Sequence, residues 1–299
     1  MTLLASKAYD PAAAATFNTT AAAAMAALDT TNLRNTFTVP PNGRVLVRQR
    51  GVIHGATTYP QTLWGILEGS TVKSRTVPLG GLKTTAVATA QLALEALTVI
   101  PGLTPGASLT WDAAAGTETL IAATGIKYGG PNDTTTDNAF GAYCFEVWDA
   151  PNCLGAVLYD PAGAVSKTLA SRLAMTAFDT TNARITFVAQ TTQVLWRIRC
   201  NLSGATTFPT ILLGVLDGAT VKARVSPVGA IPGTALATTN VPHEACGVIT
   251  GLTKGTTYNY DAAYGVEILL AATNIHYGGP DNTTANDAWG ALQFEIWAV

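Results

Sequence analysis

Val194-Leu-Trp-Arg-Ile-Arg-Cys-Asn-Leu202 is the stretch that decides the fold class. Val194, Trp196, Ile198, Cys200 and Leu202 alternate with Leu195, Arg197, Arg199 and Asn201, giving one apolar and one largely polar side. Successive side chains of a strand point to opposite faces, so this period of two predicts a half-buried β-strand. Val45, Val47 and Ile53 against Arg48 and Arg50 repeat the pattern less cleanly in the first half of the chain. Next comes Leu212-Leu-Gly-Val-Leu-Asp-Gly218 followed by Thr220-Val-Lys-Ala-Arg224, matched by Leu63-Trp-Gly-Ile-Leu-Glu-Gly69 and Thr71-Val-Lys-Ser-Arg-Thr76. Asp-Gly between two β-rich runs predicts a hairpin, because Gly accepts the positive φ of the turn.

These matches belong to a duplication of the whole chain. Tyr9-Asp-Pro11 recurs as Tyr159-Asp-Pro161, and Asp29-Thr-Thr-Asn32 with Arg34 and Phe37 recurs as Asp179-Thr-Thr-Asn182 with Arg184 and Phe187. Gly55-Ala-Thr-Thr-Tyr-Pro60 becomes Gly204-Ala-Thr-Thr-Phe-Pro209, and Glu118 to Trp148 aligns without gaps to Glu267 to Trp297. The copies span 1–149 and 150–299, each the size of a domain and far longer than a solenoid repeat. The Ala-rich segments 12–28 and 162–178 fit either period, with strand favoured and a single helical turn left open. The expected fold is all-β: two tandem homologous antiparallel β-sandwich modules, jelly-roll-like, ending in Phe145-Glu-Val-Trp148 and Phe294-Glu-Ile-Trp297.

The chain of 299 residues is 48% hydrophobic and only 12% charged, with net charge −2. Few charges protect its surface, which points to surface covered by other protein, or to a neutral Thr-rich β exterior. Without a basic run there is little to bind nucleic-acid phosphates. No apolar stretch approaches the roughly 20 residues of a membrane span, and the start lacks the n- and h-regions of a secretory signal. Cys144, Cys153, Cys200 and Cys246 have no counterparts between copies, so they read as free thiols in a reducing cytosol.

Duplication also screens for chemistry. His54 matches Ser203, His276 matches Lys127, and His243 falls in a poorly aligned loop; none has a repeated nucleophile or carboxylate neighbour. Six acidic positions recur (Asp10/Asp160, Asp29/Asp179, Glu68/Asp217, Asp112/Asp261, Glu118/Glu267, Glu146/Glu295), and so do five basic ones (Arg34/Arg184, Arg48/Arg197, Arg50/Arg199, Lys73/Lys222, Arg75/Arg224). A glycosidase needs paired carboxylates on one cleft. Charges of both signs recurring together fit register-setting ion pairs better. The reading is of a non-enzyme with no cofactor or metal.

The most distinctive loop is Gly129-Gly-Pro-Asn-Asp-Thr-Thr-Thr-Asp-Asn138, echoed by Gly278-Gly-Pro-Asp-Asn-Thr-Thr-Ala-Asn-Asp287. Its Asx residues make turns or, less readily, hold Ca²⁺. Tyr128, Gly129, Gly130 and Pro131, with Tyr277, Gly278, Gly279 and Pro280, are the candidate contact loops. Trp148 and Trp297, with Phe140 and Trp289, could form sugar platforms or serve core and interface.

Phe37-Thr-Val-Pro-Pro-Asn-Gly-Arg-Val-Leu-Val47 resembles the strand entry of C1q/TNF-like jelly rolls, although the second copy loses its Pro and Gly. Gly251-Leu-Thr-Lys-Gly-Thr-Thr-Tyr258 resembles the corner approach of fibronectin-like sandwiches. The duplicated Ala/Thr/Gly-rich β texture resembles bacteriophage virion proteins, such as head-decoration proteins and head or tail fibres. That resemblance implies a homo-oligomer, often a trimer, assembled in the host cytoplasm and placed on the virion surface. Its partners would be further copies and other virion proteins such as the major capsid protein. The alternative is a carbohydrate- or receptor-binding module of a phage tail fibre or bacterial surface protein.

Overall fold

The computed structural model describes residues 1–17, 24–55, 62–79, 91–117, 126–130, 141–161, 165–167, 174–204, 210–228, 240–266, 275–278 and 290–299. Among them the chain is all β and divides into two compact units, Met1–Ala150 and Pro151–Val299. The first unit contains β1 (Leu3–Tyr9), β2 (Ala15–Phe17), β3 (Ala26–Ala27), β4 (Arg34–Thr38), β5 (Val45–Gly55) and β6 (Thr62–Glu68). It continues with β7 (Thr71–Thr76), β8 (Gln91–Ile100), β9 (Ser108–Thr117), β10 (Ile126–Tyr128) and β11 (Tyr143–Asp149). The second contains β12 (Cys153–Tyr159), β13 (Val165–Lys167), β14 (Thr176–Ala177), β15 (Arg184–Val188), β16 (Gln193–Gly204) and β17 (Ile211–Asp217). β18 (Thr220–Val225), β19 (Asn240–Thr250), β20 (Thr257–Val266), β21 (Ile275–Tyr277) and β22 (Leu292–Ala298) complete it.

In the first unit β1, β11, β5 and β8 lie side by side, and β10 with β2 extends the sheet along the same edge of β5 that β11 uses. The facing sheet sets β4 and β3 against one edge of β9, then β6 and β7. Steps from β4 to β5, β5 to β6, β7 to β8, β8 to β9 and β9 to β10 change sheet, while β6–β7 is a hairpin. That interleaving is the order of a jelly roll. The second unit repeats it, with β12, β22, β16 and β19 facing β15, β20, β17 and β18. Both hairpins turn at the expected glycines, Gly69 (φ +60°) and Gly218 (φ +59°). In the Ala-rich segments the described residues are strand (β2, β3, β13, β14) or irregular, and residues 18–23, 162–164 and 168–173 lie outside the described ones.

Alternation sorts the central strands as expected. Val45, Val47, Gln49 and Ile53 of β5, and Val194, Trp196, Ile198, Cys200 and Leu202 of β16, are buried. The two cores are nevertheless packed by different residues. In the first, Tyr143 donates to Gln49 Oε1 at 2.8 Å, Gln49 Nε2 donates to the Gly65 carbonyl at 3.0 Å, and the Tyr143 ring lies 5.1 Å from Trp64. At the same register positions the second has Leu292, Ile198 and Leu213, all apolar. Bulk moves the other way elsewhere. Val47 opposite Thr98 becomes Trp196 opposite Gly247, and Trp64 opposite Ala115 becomes Leu213 opposite Tyr264. Close packing requires such compensation, because a core tolerates neither a void nor an extra methylene cheaply.

Gly51 belongs to the same set. A Cβ there would lie 2.7 Å from Cδ2 of Tyr143, whereas its counterpart Cys200 stands in the unit that carries Leu292 instead of Tyr. Gly51→Ala is therefore expected to cost about 1–3 kcal/mol through overpacking. In a background carrying Gln49→Ile and Tyr143→Leu, the second copy's residues, the same change should cost less than half as much. Urea unfolding of the four proteins followed by tryptophan fluorescence measures the difference; equal costs in both backgrounds would refute the coupling.

Candidate functional site

The repeated charges are the first candidates, and the folded units consume most of them. Arg34 on β4 sits directly opposite Asp112 on β9 and grips it with two bonds, Nε to Oδ1 at 2.7 Å and Nη2 to Oδ2 at 2.8 Å. Arg184 and Asp261 reproduce both distances. Hydrogen bonding to the carboxylate, and then its charge, holds each of these guanidiniums above its ordinary pKa. Lys73–Glu68 at 2.5 Å and Lys222–Asp217 at 3.4 Å clamp the two hairpins. Asp29 accepts from the backbone amides of Thr31 and Asn32 at 2.8 and 2.7 Å, and Asp179 does the same for Thr181 and Asn182 at 2.7 and 2.8 Å. Slight burial opposes ionisation of both, yet these hydrogen bonds leave them below the usual carboxylate range. They are turn caps. Glu118 and Glu267 lie outside the described residues.

The outer face of the six-stranded sheet carries further repeated charges in ion pairs. In the first unit they run diagonally, Arg48 Nε to Glu95 Oε1 at 2.6 Å and Arg50 Nη2 to Glu146 Oε1 at 3.5 Å. In the second the equivalent residues pair straight across, Arg197 Nη2 to Glu295 Oε1 at 2.7 Å and Arg199 Nε to Glu244 Oε2 at 2.8 Å. Side-chain exposure falls from 47% for Arg50 to 6% for Arg199, and from 16% for Glu146 to 2% for Glu295. Burial pulls Arg199 down; burial also opposes the charge of Arg197, but the charge and hydrogen bond of Glu295, with Glu244 and Cys246, together hold it above its ordinary value. A tryptophan beside each pair points its indole N–H back along its own strand, Trp148 to Glu146 at 3.0 Å and Trp297 to Glu295 at 2.9 Å. In the first unit this face holds two grooves, of about 630 Å³ beside Arg50, Ala93, Glu95 and Cys144, and of about 330 Å³ beside Met1, Leu46, Arg48, Glu95, Leu97 and Trp148. Inside the first core, the space between Phe17, Trp64, Tyr128 and Tyr143 amounts to about 10 Å³. That is room for a water at most, not for a ligand.

The Tyr-Gly-Gly-Pro loops begin in the fold, not on its surface. Tyr128 and Tyr277 are buried, and their hydroxyls donate to the carbonyls of Leu28 at 2.9 Å and Phe178 at 3.0 Å, tying one sheet to the other. Gly129 (φ +66°) and Gly278 (φ +69°) lie against Pro11 and Pro161, where a Cβ would come within 2.6 and 2.3 Å of the proline rings. Two repeated motifs, Tyr-Asp-Pro and Tyr-Gly-Gly, are thus retained through contact with each other. Gly130 accepts from the Gly141 amide at 3.0 Å. Pro131, Gly279, Pro280, Phe140, Trp289 and the Asx residues of both loops lie outside the described residues.

The histidines do not assemble a site. His54 and His276 occupy matching sheets, opposite Lys127 and Ser203 respectively. His243 is a correction to the sequence alignment. It lies on β19 opposite Cys200, in the place that Leu94 takes opposite Gly51, and burial lowers its pKa to about 4. Among the described residues no three His, Cys, Asp or Glu side chains converge as a metal site, and all four cysteines are free thiols.

No protein-family model matches this chain, and no curated protein does. Among solved structures it is similar to N-glycanase F (PNGase F), at 11% identity over 98% of this chain and 95% of that one, with a TM-score of 0.42. The tandem CBM22-1–CBM22-2 domains of Paenibacillus barcinonensis Xyn10C match at 11% identity, 98% and 99% coverage and a TM-score of 0.26. VP2 of the infectious bursal disease virus subviral particle matches at 9% identity, 98% and 80% coverage and a TM-score of 0.20. Likeness this distant assigns no function.

His243 gives the protein a specific acid sensitivity. The unfolded chain takes up a proton near pH 6.5, while the folded unit resists until about pH 4. The unfolded state binds more protons in that window, so stability falls with falling pH by up to about 1 kcal/mol per pH unit. His243→Leu, the first copy's residue, should flatten the decline of the melting temperature between pH 7 and pH 4. An unchanged slope in the variant would show that some other group sets it.

Proposed function

We propose that this protein is a structural component of a virus particle, a capsid-decoration, cement or head-fibre protein of bacteriophage type that acts through protein–protein contacts. One observation carries the reading. Most of the repeated charged groups described are spent on strand registry and turns, which leaves largely neutral β faces and, among the described residues, no repeated acid–base pair aimed into a cleft. Exposed Val72, Val188, Val221, Val228 and Val248 dot those faces and suit burial against other protein. Its partners are further copies of itself, most simply a trimer, together with the major capsid protein, on the surface of a particle assembled in the host cytoplasm. Three subunits of two like modules offer six similar faces to a three-fold or six-fold lattice position.

The carbohydrate- or receptor-binding reading draws on the groove by Trp148, Arg48 and Glu95, an aromatic beside polar groups on an open sheet face. Against it stands the second unit, where Arg199 and Glu295 are buried and Arg197 and Glu244 are only 15% and 22% exposed. Purified protein is expected to co-sediment with phage heads and to show no glycan-dependent shift in tryptophan fluorescence. Absence from heads and tails, together with saturable quenching by a glycan, would replace the first reading with the second.

A further inference from the structure

Arg50 on β5 and Glu95 on β8 stand directly opposite each other, yet they do not pair. Glu95 is held on the diagonal by Arg48 at 2.6 Å, and the carboxylate nearest to Arg50 is Glu146 at 3.5 Å, longer than a hydrogen bond. Both side chains line the groove of about 630 Å³, whose other walls include Val52, Leu79, Ala93 and Ala142. The second unit shows what this register does when the charges meet. Arg199 and Glu244 occupy the same two positions and bond directly at 2.8 Å. Larger residues stand beside them, Pro242 in place of Ala93 and buried Gln293 in place of Cys144. We propose that the groove of the first unit binds a free α-amino acid with an apolar side chain, its carboxylate on Arg50 and its ammonium on Glu95.

The arrangement of the two charges names the ligand. Residues directly opposite on neighbouring strands have their Cβ atoms about 5 Å apart, so the ligand's own charges must lie close together. An α-amino acid carries both on one carbon. A plain carboxylate meets Arg50 but is repelled by Glu95, and a plain amine meets the reverse. Arg50 and Glu95 are 47% and 40% exposed, so neither has to be stripped of much further water when a ligand arrives. The guanidinium can take a carboxylate with two parallel bonds, which Glu146 at 3.5 Å does not use. Val52, Ala93 and Leu79 then receive the apolar side chain, and the volume is within the roughly 300–1,000 Å³ of small-molecule sites. The ligand has no net charge, which suits a face neutralised in place. Binding concerns the first unit alone and holds whether or not the protein sits on a virion.

Cys144 lines the same groove and reports on its occupancy, and the exposed Cys246 of the second unit is the internal control. Free leucine at about 1–20 mM should slow alkylation of Cys144 by iodoacetamide several-fold, read by peptide mass, and leave Cys246 unchanged. Isocaproate and isoamylamine, which each keep one charge of leucine, should protect Cys144 far less. Arg50→Gln and Glu95→Gln should each abolish the protection. Should either lose the fold by circular dichroism, Ala93→Leu fills the groove from an exposed position and leaves both charges in place. It should abolish protection at an unchanged thermal midpoint. No protection by leucine, equal protection of Cys246, single-charge analogues as effective as leucine, or protection that survives in the folded variants overturns the proposal.

Discussion

One long strand sets the register of each unit: β5 in the first, β16 in the second, eleven and twelve residues long. It pairs with three neighbours at once, β11 and β10 on one edge and β8 on the other, and β16 does the same with β22, β21 and β19. Its inward residues form the core and its outward ones carry the arginines. Shifting this strand by one residue against its neighbours would drive Arg48 or Arg197 into the core and an aliphatic residue out. Burying an unpaired guanidinium costs several kcal/mol, so alternation along this strand excludes other pairings.

Duplication makes the two halves an internal comparison of what the fold demands. Contacts that must be geometrically specific are kept whole: the two-point Arg34–Asp112 grip, the Asp29 turn cap, the Tyr128 hydroxyl bridging the sheets, and Gly129 against Pro11. Contacts that need only fill volume or balance charge are free to rearrange. Tyr143, Gln49 and Gly51 give way together to Leu292, Ile198 and Cys200. The Arg–Glu quartet switches from diagonal to direct pairing with no residue replaced. Electrostatic attraction depends on distance more than direction, which allows either arrangement; a bidentate bond does not.

Much of this was legible in the sequence, and the failures have physical causes. The alternation of Val194 to Leu202 and the Asp-Gly turn gave strands and hairpins their places because one face of each was polar. β8 gives no such signal. Leu94, Ala96, Thr98 and Ile100 face in while Ala93, Leu97 and Val99 face out, so both sides look apolar. Its counterpart in the second copy, β19, places a histidine inside the core, which is why His243 reads as loop. In the repeated Tyr-Gly-Gly-Pro, read from sequence as a contact loop, the described tyrosines turn inward and the first glycine packs on a proline, while Pro131, Gly279 and Pro280 lie outside the described residues. Repetition marks constraint, and sequence alone does not say from which side the constraint comes.

The low charge of the chain follows from the same economy. A jelly roll exposes the outer faces of two sheets, and here the repeated charges on those faces meet partners of opposite sign one strand away. A face neutralised in place exerts little long-range pull on a charged substrate or a phosphate backbone. What it still offers is shape and apolar area, exemplified by exposed Val248. Association through such a face would depend on complementary packing over a broad area and not on long-range charge.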